Sequence, residues 1–146
     1  MQFTQETNNS FYIIRSYGPG YINLIQPLSA EFLLAVEGSD PSEINERRKL
    51  RCEQSLILTP KRLVTHWRPA TVSELTVSDV QIIADLQPEL VILGTGKTAQ
   101  WPSRQQLAPL IERHIGVEIM DTTAACRTYN VLMHEGRIVA VAMMMI

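Results

Sequence analysis

Cysteine is scarce in this chain. There are two, Cys52 and Cys126, far apart and outside any C-x-x-C spacing. A zinc site of four thiolates and a disulfide scaffold are both excluded. Excess charge of either sign is also lacking: 13 basic residues against 15 acidic ones give a net charge of −2 and a pI near 5.9. General polyanion binders carry a strong basic patch, so no nucleic acid partner is expected. Long apolar runs are missing. The longest, Ile138 to Ile146, has nine residues, whereas a spanning helix needs about 20, so no membrane insertion is expected. The opening residues Met1-Gln2-Phe3-Thr4-Gln5-Glu6 show neither a basic stretch ahead of an apolar one nor an Arg-rich leader. The expected compartment is the cytoplasm. The three histidines, His66, His114 and His134, have no ligand spacing, and no metal or cofactor is expected. H-E-x-x-H, G-x-S-x-G and paired carboxylates on one helix are all absent, so no catalytic residue is assigned.

What remains is a globular composition: 146 residues, 45% hydrophobic and 19% charged. That suits one domain with a substantial core. Residues 1–10 are polar and read as a disordered tail, leaving 11–146 as a single α/β domain. Phe11 to Tyr17 and Tyr21 to Ile25, rich in aromatic and β-branched residues, flank Gly18-Pro19-Gly20 and predict a hairpin. Glu31 to Val36 reads as a third strand, and Ser55 to Thr59, stopped by Pro60, as a fourth. Between them Gly38 to Gln54 holds Arg47, Arg48, Lys49 and Arg51 balanced by four acids. It reads as a solvated loop.

The second half is more regular. Thr76 and Asp79 cap a helix carrying Val80, Ile83, Ala84 and Leu86. Leu90 to Leu93 is a buried strand. Ser103 and Gln106 cap a second helix that Gly116 ends. Val117 to Met120 is a strand, Asp121-Thr122-Thr123 caps a third helix that Gly136 stops, and Arg137 to Ile146 is the last strand. Strands this apolar are covered on both faces, and helical crossovers make them parallel neighbours. The expected architecture is a three-layer α/β domain with helices on both faces of a central sheet and an N-terminal β-hairpin region at one side.

Two segments carry the candidate binding residues. Gly94-Thr95-Gly96-Lys97 follows a buried strand, where backbone amides and a lysine suit an anion. Its spacing is neither Walker A nor G-x-G-x-x-G. Asp121, Thr122, Thr123, Cys126 and Arg127 open a helix, where free N–H groups, an arginine and a low-pKa thiol suit a carboxylate or phosphate. Both follow strands, so both belong at strand C-terminal ends, where open α/β sheets bind ligands. Trp67, between His66 and Arg68, is a candidate for the rim.

Leu56-Ile57-Leu58-Thr59-Pro60, Trp67, Val91 to Gly96, and Met120-Asp121-Thr122 through Ala125-Cys126-Arg127-Thr128-Tyr129-Asn130 together resemble one family. It is a domain-of-unknown-function family that groups small archaeal and proteobacterial proteins with a mitochondrial respiratory complex I assembly factor. The resemblance runs from the Tyr17-Gly18 hairpin to the last strand. It implies a mixed, mostly parallel central sheet containing one antiparallel strand. It also implies a non-enzymatic binding module with a protein partner, acting in assembly of a respiratory or other membrane-associated complex. The alternative from the residues themselves is a small-molecule binding protein or enzyme for a carboxylate or phosphate, with Lys97 and Arg127 on the anion and Cys126 or Asp121 reactive.

Overall fold

A computed structural model describes residues 9–146. The expected tail lies outside these residues except for Asn9 and Ser10, and the Asn9 carbonyl accepts from the Leu28 N–H at 2.7 Å. Strands β1 (Ile13–Gly18) and β2 (Tyr21–Ile25) form the hairpin, antiparallel, with a bulge between Ile14 and Ser16. Gly20 takes φ +78° at the turn, a conformation open to glycine.

The next stretch departs from expectation. Glu31 to Val36 is not a strand: Ala30–Ala35 is a short helix, α1, and the Ser29 side chain accepts from the Phe32 N–H. The run Ala-Glu-Phe-Leu-Leu-Ala contains no β-branched residue and five strong helix formers, and its cap decides the outcome. Gly38 to Gln54 is not an unstructured loop either. Asp40 caps helix α2 (Pro41–Arg47) with Pro41 in its first turn, and β3 (Lys49–Cys52) pairs antiparallel with β2. The basic group is engaged within the chain. Arg47 and Arg48 donate to the carbonyls of Ala35 and Gln26, Lys49 pairs with Glu46, and Arg51 pairs with Glu53 while lying over the Tyr21 ring.

The main sheet has five strands: β4 (Leu56–Leu58), β5 (Leu63–Val64), β6 (Leu90–Thr95), β7 (Gly116–Met120) and β8 (Val139–Met144), in the order β5-β4-β8-β6-β7. β8 and β7 run parallel to β6, and β4 runs antiparallel to β8 and β5. β4 is thus the one strand pointing against the other four. Helices α3 (Val77–Asp85) and α4 (Ala108–Glu112) cover one face, with Ile83, Leu110, Val91, Leu93 and Ala142 in a shared core. Helix α5 (Thr122–His134) and the N-terminal sheet cover the other, where Tyr129, Cys126 and Met133 meet Ile92, Val141 and Ile22. None of the described helices is long and apolar enough to cross a membrane.

Helix ends follow local chemistry. Thr76 and Asp79 form a full capping box. Ser103 and Gln106 exchange reciprocal bonds as well, but α4 starts only at Ala108 because Pro109 supplies no N–H to the preceding turn. Gly116 does not end α4; it opens β7. The terminator is His114 at φ +56°, with its N–H on Ile111 and the Ile115 N–H on Leu110. That is a Schellman motif built without glycine. Gly136 ends α5 as expected, through Gly136 N–H to Met133 and Arg137 N–H to Leu132.

Candidate functional site

Val91 to Leu93 is buried, so β6 delivers Gly94, Thr95 and Gly96 to the C-terminal edge of the sheet. Gly94 faces α5. A Cβ there would sit 2.8 Å from the Ala125 Cβ and 3.2 Å from the Thr122 Cα. Gly96 takes φ +98°. The Thr122 N–H donates to the Gly96 carbonyl at 2.9 Å. The Thr122 hydroxyl accepts from the Gly96 N–H at 2.8 Å and donates to the Met144 carbonyl at 2.7 Å. Thr122 is fully buried. The two candidate segments are therefore in direct contact.

Their polar groups mostly face inward. The Thr95 hydroxyl donates to the Thr98 carbonyl at 2.7 Å and accepts from the Gln100 N–H at 2.9 Å, closing the next loop into a tight turn. Asp121 accepts from the Ala124 N–H at 2.9 Å, so its own carboxylate satisfies a free amide of the helix N-terminus. Thr123 is half-buried. Lys97 and Arg127 are exposed, and the Arg127 Nε donates to the Tyr17 hydroxyl at 2.8 Å.

Cys126 is fully buried, with its Sγ 3.6 Å from the Met143 Sδ. Burial pushes its thiol from the ordinary 9.0 up to about 12, because desolvation disfavours the thiolate. Cys126 is expected to resist alkylation at pH 8 in the folded protein and to react once urea unfolds it. Cys52, half-buried, is the slower-than-free comparison. Peptide mass spectrometry reads both, and rapid native labelling of Cys126 would contradict its burial. The same shift sets a pH dependence. Below 9 the thiol is neutral in both states; between 9 and about 12 only the unfolded state loses the proton, so stability falls as pH rises through that window.

Trp67 is 3% exposed and belongs to the core of the α3–α4 face. Its Nε1–H donates to the Asp79 carbonyl at 3.2 Å. It also borders an open cavity of about 410 Å³ shared with Gln54, His66, Arg68 and Met145. That cavity adjoins the glycine turn: a Cβ on Gly96 would lie 3.2 Å from the Met145 carbonyl. Arg68 forks onto Asp79, Nη2 to Oδ2 at 2.5 Å and Nε to Oδ1 at 3.1 Å. Burial alone would raise the Asp79 carboxyl, but Arg68 and Thr76 bond it and hold it below its usual range.

The reading from sequence missed Trp101. It is 72% exposed in the loop that leaves Gly96 and Lys97. The signal was a tryptophan between Gln100 and Pro102, outside any apolar period. His66, the polar neighbour of Trp67, takes φ +55° without a glycine to announce it and meets the Gln54 side chain through its Nδ1.

Residues 36–144 match the family described as "Protein of unknown function (DUF498/DUF598)". The chain belongs to that family. Rat "NADH dehydrogenase [ubiquinone] 1 alpha subcomplex assembly factor 3" is 37% identical over 82 residues, 55% of this chain and 44% of that protein. The chain thus spans about half the length of the curated relatives it matches. A crystal structure of a Bordetella parapertussis protein superimposes with a TM-score of 0.72 at 32% identity, covering 92% of this chain and 96% of that one. An NMR structure from Xanthomonas campestris gives 0.68 at 33% identity, covering 99% and 92%. These two solved structures share the fold of this chain along nearly its whole length.

Proposed function

We propose that this DUF498 protein is a non-enzymatic binding module. It engages a protein partner during assembly of a respiratory or other membrane-associated complex, and it works from the C-terminal edge of its parallel strands. The observation that carries this reading is the division of labour at the β6–α5 junction. Thr95, Thr122 and Asp121 spend their hydrogen bonds on the fold, while Lys97, Trp101 and Arg127 face solvent. Exposed tryptophan and arginine are the residue types that dominate protein interfaces. The relatives named as complex I assembly factors support the role, and a protein partner follows from it.

The test is an affinity capture from native lysate, comparing the intact chain with a Lys97→Ala, Trp101→Ala, Arg127→Ala triple variant. A defined set of proteins retained by the first and lost by the second is expected, with unchanged thermal melts. Equal retention by both would move the partner surface elsewhere. If neither retains a specific protein, the assembly reading fails. The alternative then takes its place: a small carboxylate or phosphate held by Lys97 and Arg127, tested by thermal shift.

A further inference from the structure

The opposite end of the sheet carries a second feature, unrelated to the β6–α5 junction. A cavity of about 290 Å³ opens where α3 and α5 end, beneath the β4–β5 turn. Its walls are apolar: Phe11, Leu86, Pro88, Met133 and Ile138, with Pro60 at the turn. Ile138 is 60% exposed at this opening, apolar surface that nothing in the described chain covers. Three cations also line it: Lys61, Arg62 and Arg137. Arg137 is already met by Glu89 at 2.8 Å. Lys61 and Arg62 take part in none of the ion pairs among the described residues.

The turn that carries those two cations is held firmly. The Thr59 hydroxyl accepts from the Arg62 N–H at 2.9 Å, the Thr59 N–H donates to the Arg62 carbonyl at 2.8 Å, and the Tyr12 N–H donates to the Pro60 carbonyl at 2.8 Å. Two positive charges outside every ion pair of the described residues therefore stand on a well-tied turn beside an apolar hollow.

We propose that this cavity binds a medium-chain carboxylate, its tail against Phe11, Met133 and Ile138 and its head group at Lys61 and Arg62. Three features select that chemistry. The apolar walls call for a hydrocarbon body. The two cations, in no ion pair among the described residues, call for an anionic end, by charge-assisted hydrogen bonds. The volume lies at the lower limit of small-molecule sites, which run about 300–1,000 Å³, so it takes a short chain rather than a full-length lipid. The site lies at the far end of the strands from Lys97 and Trp101, and its success or failure is independent of the protein-partner reading.

The experiment is an amide-resolved NMR titration of the full chain with octanoate, and with 1-octanol as the uncharged control. Saturable shifts are expected at Phe11, Arg62, Gly136 and Ile138, with octanol weaker by about tenfold, the worth of one charge-assisted contact. A Lys61→Ala, Arg62→Ala pair should weaken octanoate by a similar factor and leave octanol unchanged. Both residues are exposed, so the fold is expected to persist, and a thermal melt checks it. Ile138→Glu, which sets a carboxylate at the opening, should abolish octanoate binding. The proposal is overturned by non-saturable shifts, by octanol binding as well as octanoate, or by a charge-pair variant that binds octanoate undiminished.

Discussion

Gly94→Ala is expected to cost about 2–3 kcal/mol of unfolding free energy, more than most single methyl additions, because its new Cβ meets backbone and a helix Cβ at once. The contact would be 2.8 Å to the Ala125 Cβ and 3.2 Å to the Thr122 Cα. Neither atom sits on a flexible side chain, so α5 itself must move off the sheet. Moving α5 strains Thr122, whose three hydrogen bonds tie the helix start to Gly96 and Met144. For a chain of this length the loss should appear as a fall in Tm of about 5–10 °C, and as a lower urea midpoint at unchanged slope. Ala125→Gly supplies the control. Alone it costs about 1 kcal/mol of helix propensity. Combined with Gly94→Ala it removes the closest clash, and a coupling of at least about 1 kcal/mol is expected in the double-mutant cycle. Additive effects would assign the crowding to Thr122 instead, and a Gly94→Ala within about 0.5 kcal/mol of the parent would show that the close approach is not required.

That junction also shows what the residue order makes legible. Asp121 as N-cap and Gly136 as terminator are local signals, and both ends of α5 follow from them. The buried character of β6 and β8 follows from their unbroken apolar runs, and with it the two covered faces. The direction of Thr122 does not follow. A threonine after an N-cap aspartate reads as part of the helix start, whereas its decisive partners are 26 and 22 residues away. The same division explains the errors. The α1–α2 region is poorly legible because its helices rest on two short capping signals, Ser29 and Asp40, and because β3 exists only by pairing with β2. His114 and Gln87 adopt positive φ at helix ends without glycine, so no residue type announces them. The resemblance correctly supplied the one antiparallel strand. Residue patterning could not, since β4 is buried on both sides like its parallel neighbours. Among the candidate site residues, contact between the two segments was legible from their shared position after strands. The inward use of their side chains was not.

Thr122→Val measures how far that inward use goes. Valine matches threonine in shape but removes the hydroxyl, leaving the Gly96 N–H without its acceptor and the Met144 carbonyl without this donor. Both groups are buried, and an unsatisfied buried group costs about 1–3 kcal/mol, so a loss of about 2–4 kcal/mol is expected for the pair. Thr122→Ser keeps the hydroxyl and deletes one methyl, a change worth about 1 kcal/mol. The order, valine worse than serine, is the reverse of what apolar burial alone predicts. Amide exchange at Gly96 should quicken in the valine variant and stay slow in the serine variant, because that N–H is the bond being tested. If valine were tolerated and the Gly96 amide stayed protected, the Thr122 hydroxyl would not be committed to the fold. The division of labour that carries the partner reading would then lose its buried half. If valine behaves as expected, Thr122 joins Gly94 and Gly96 as the joint between β6 and α5, and the proposed partner surface at this edge is left to the side chains that face outward, Lys97, Trp101 and Arg127.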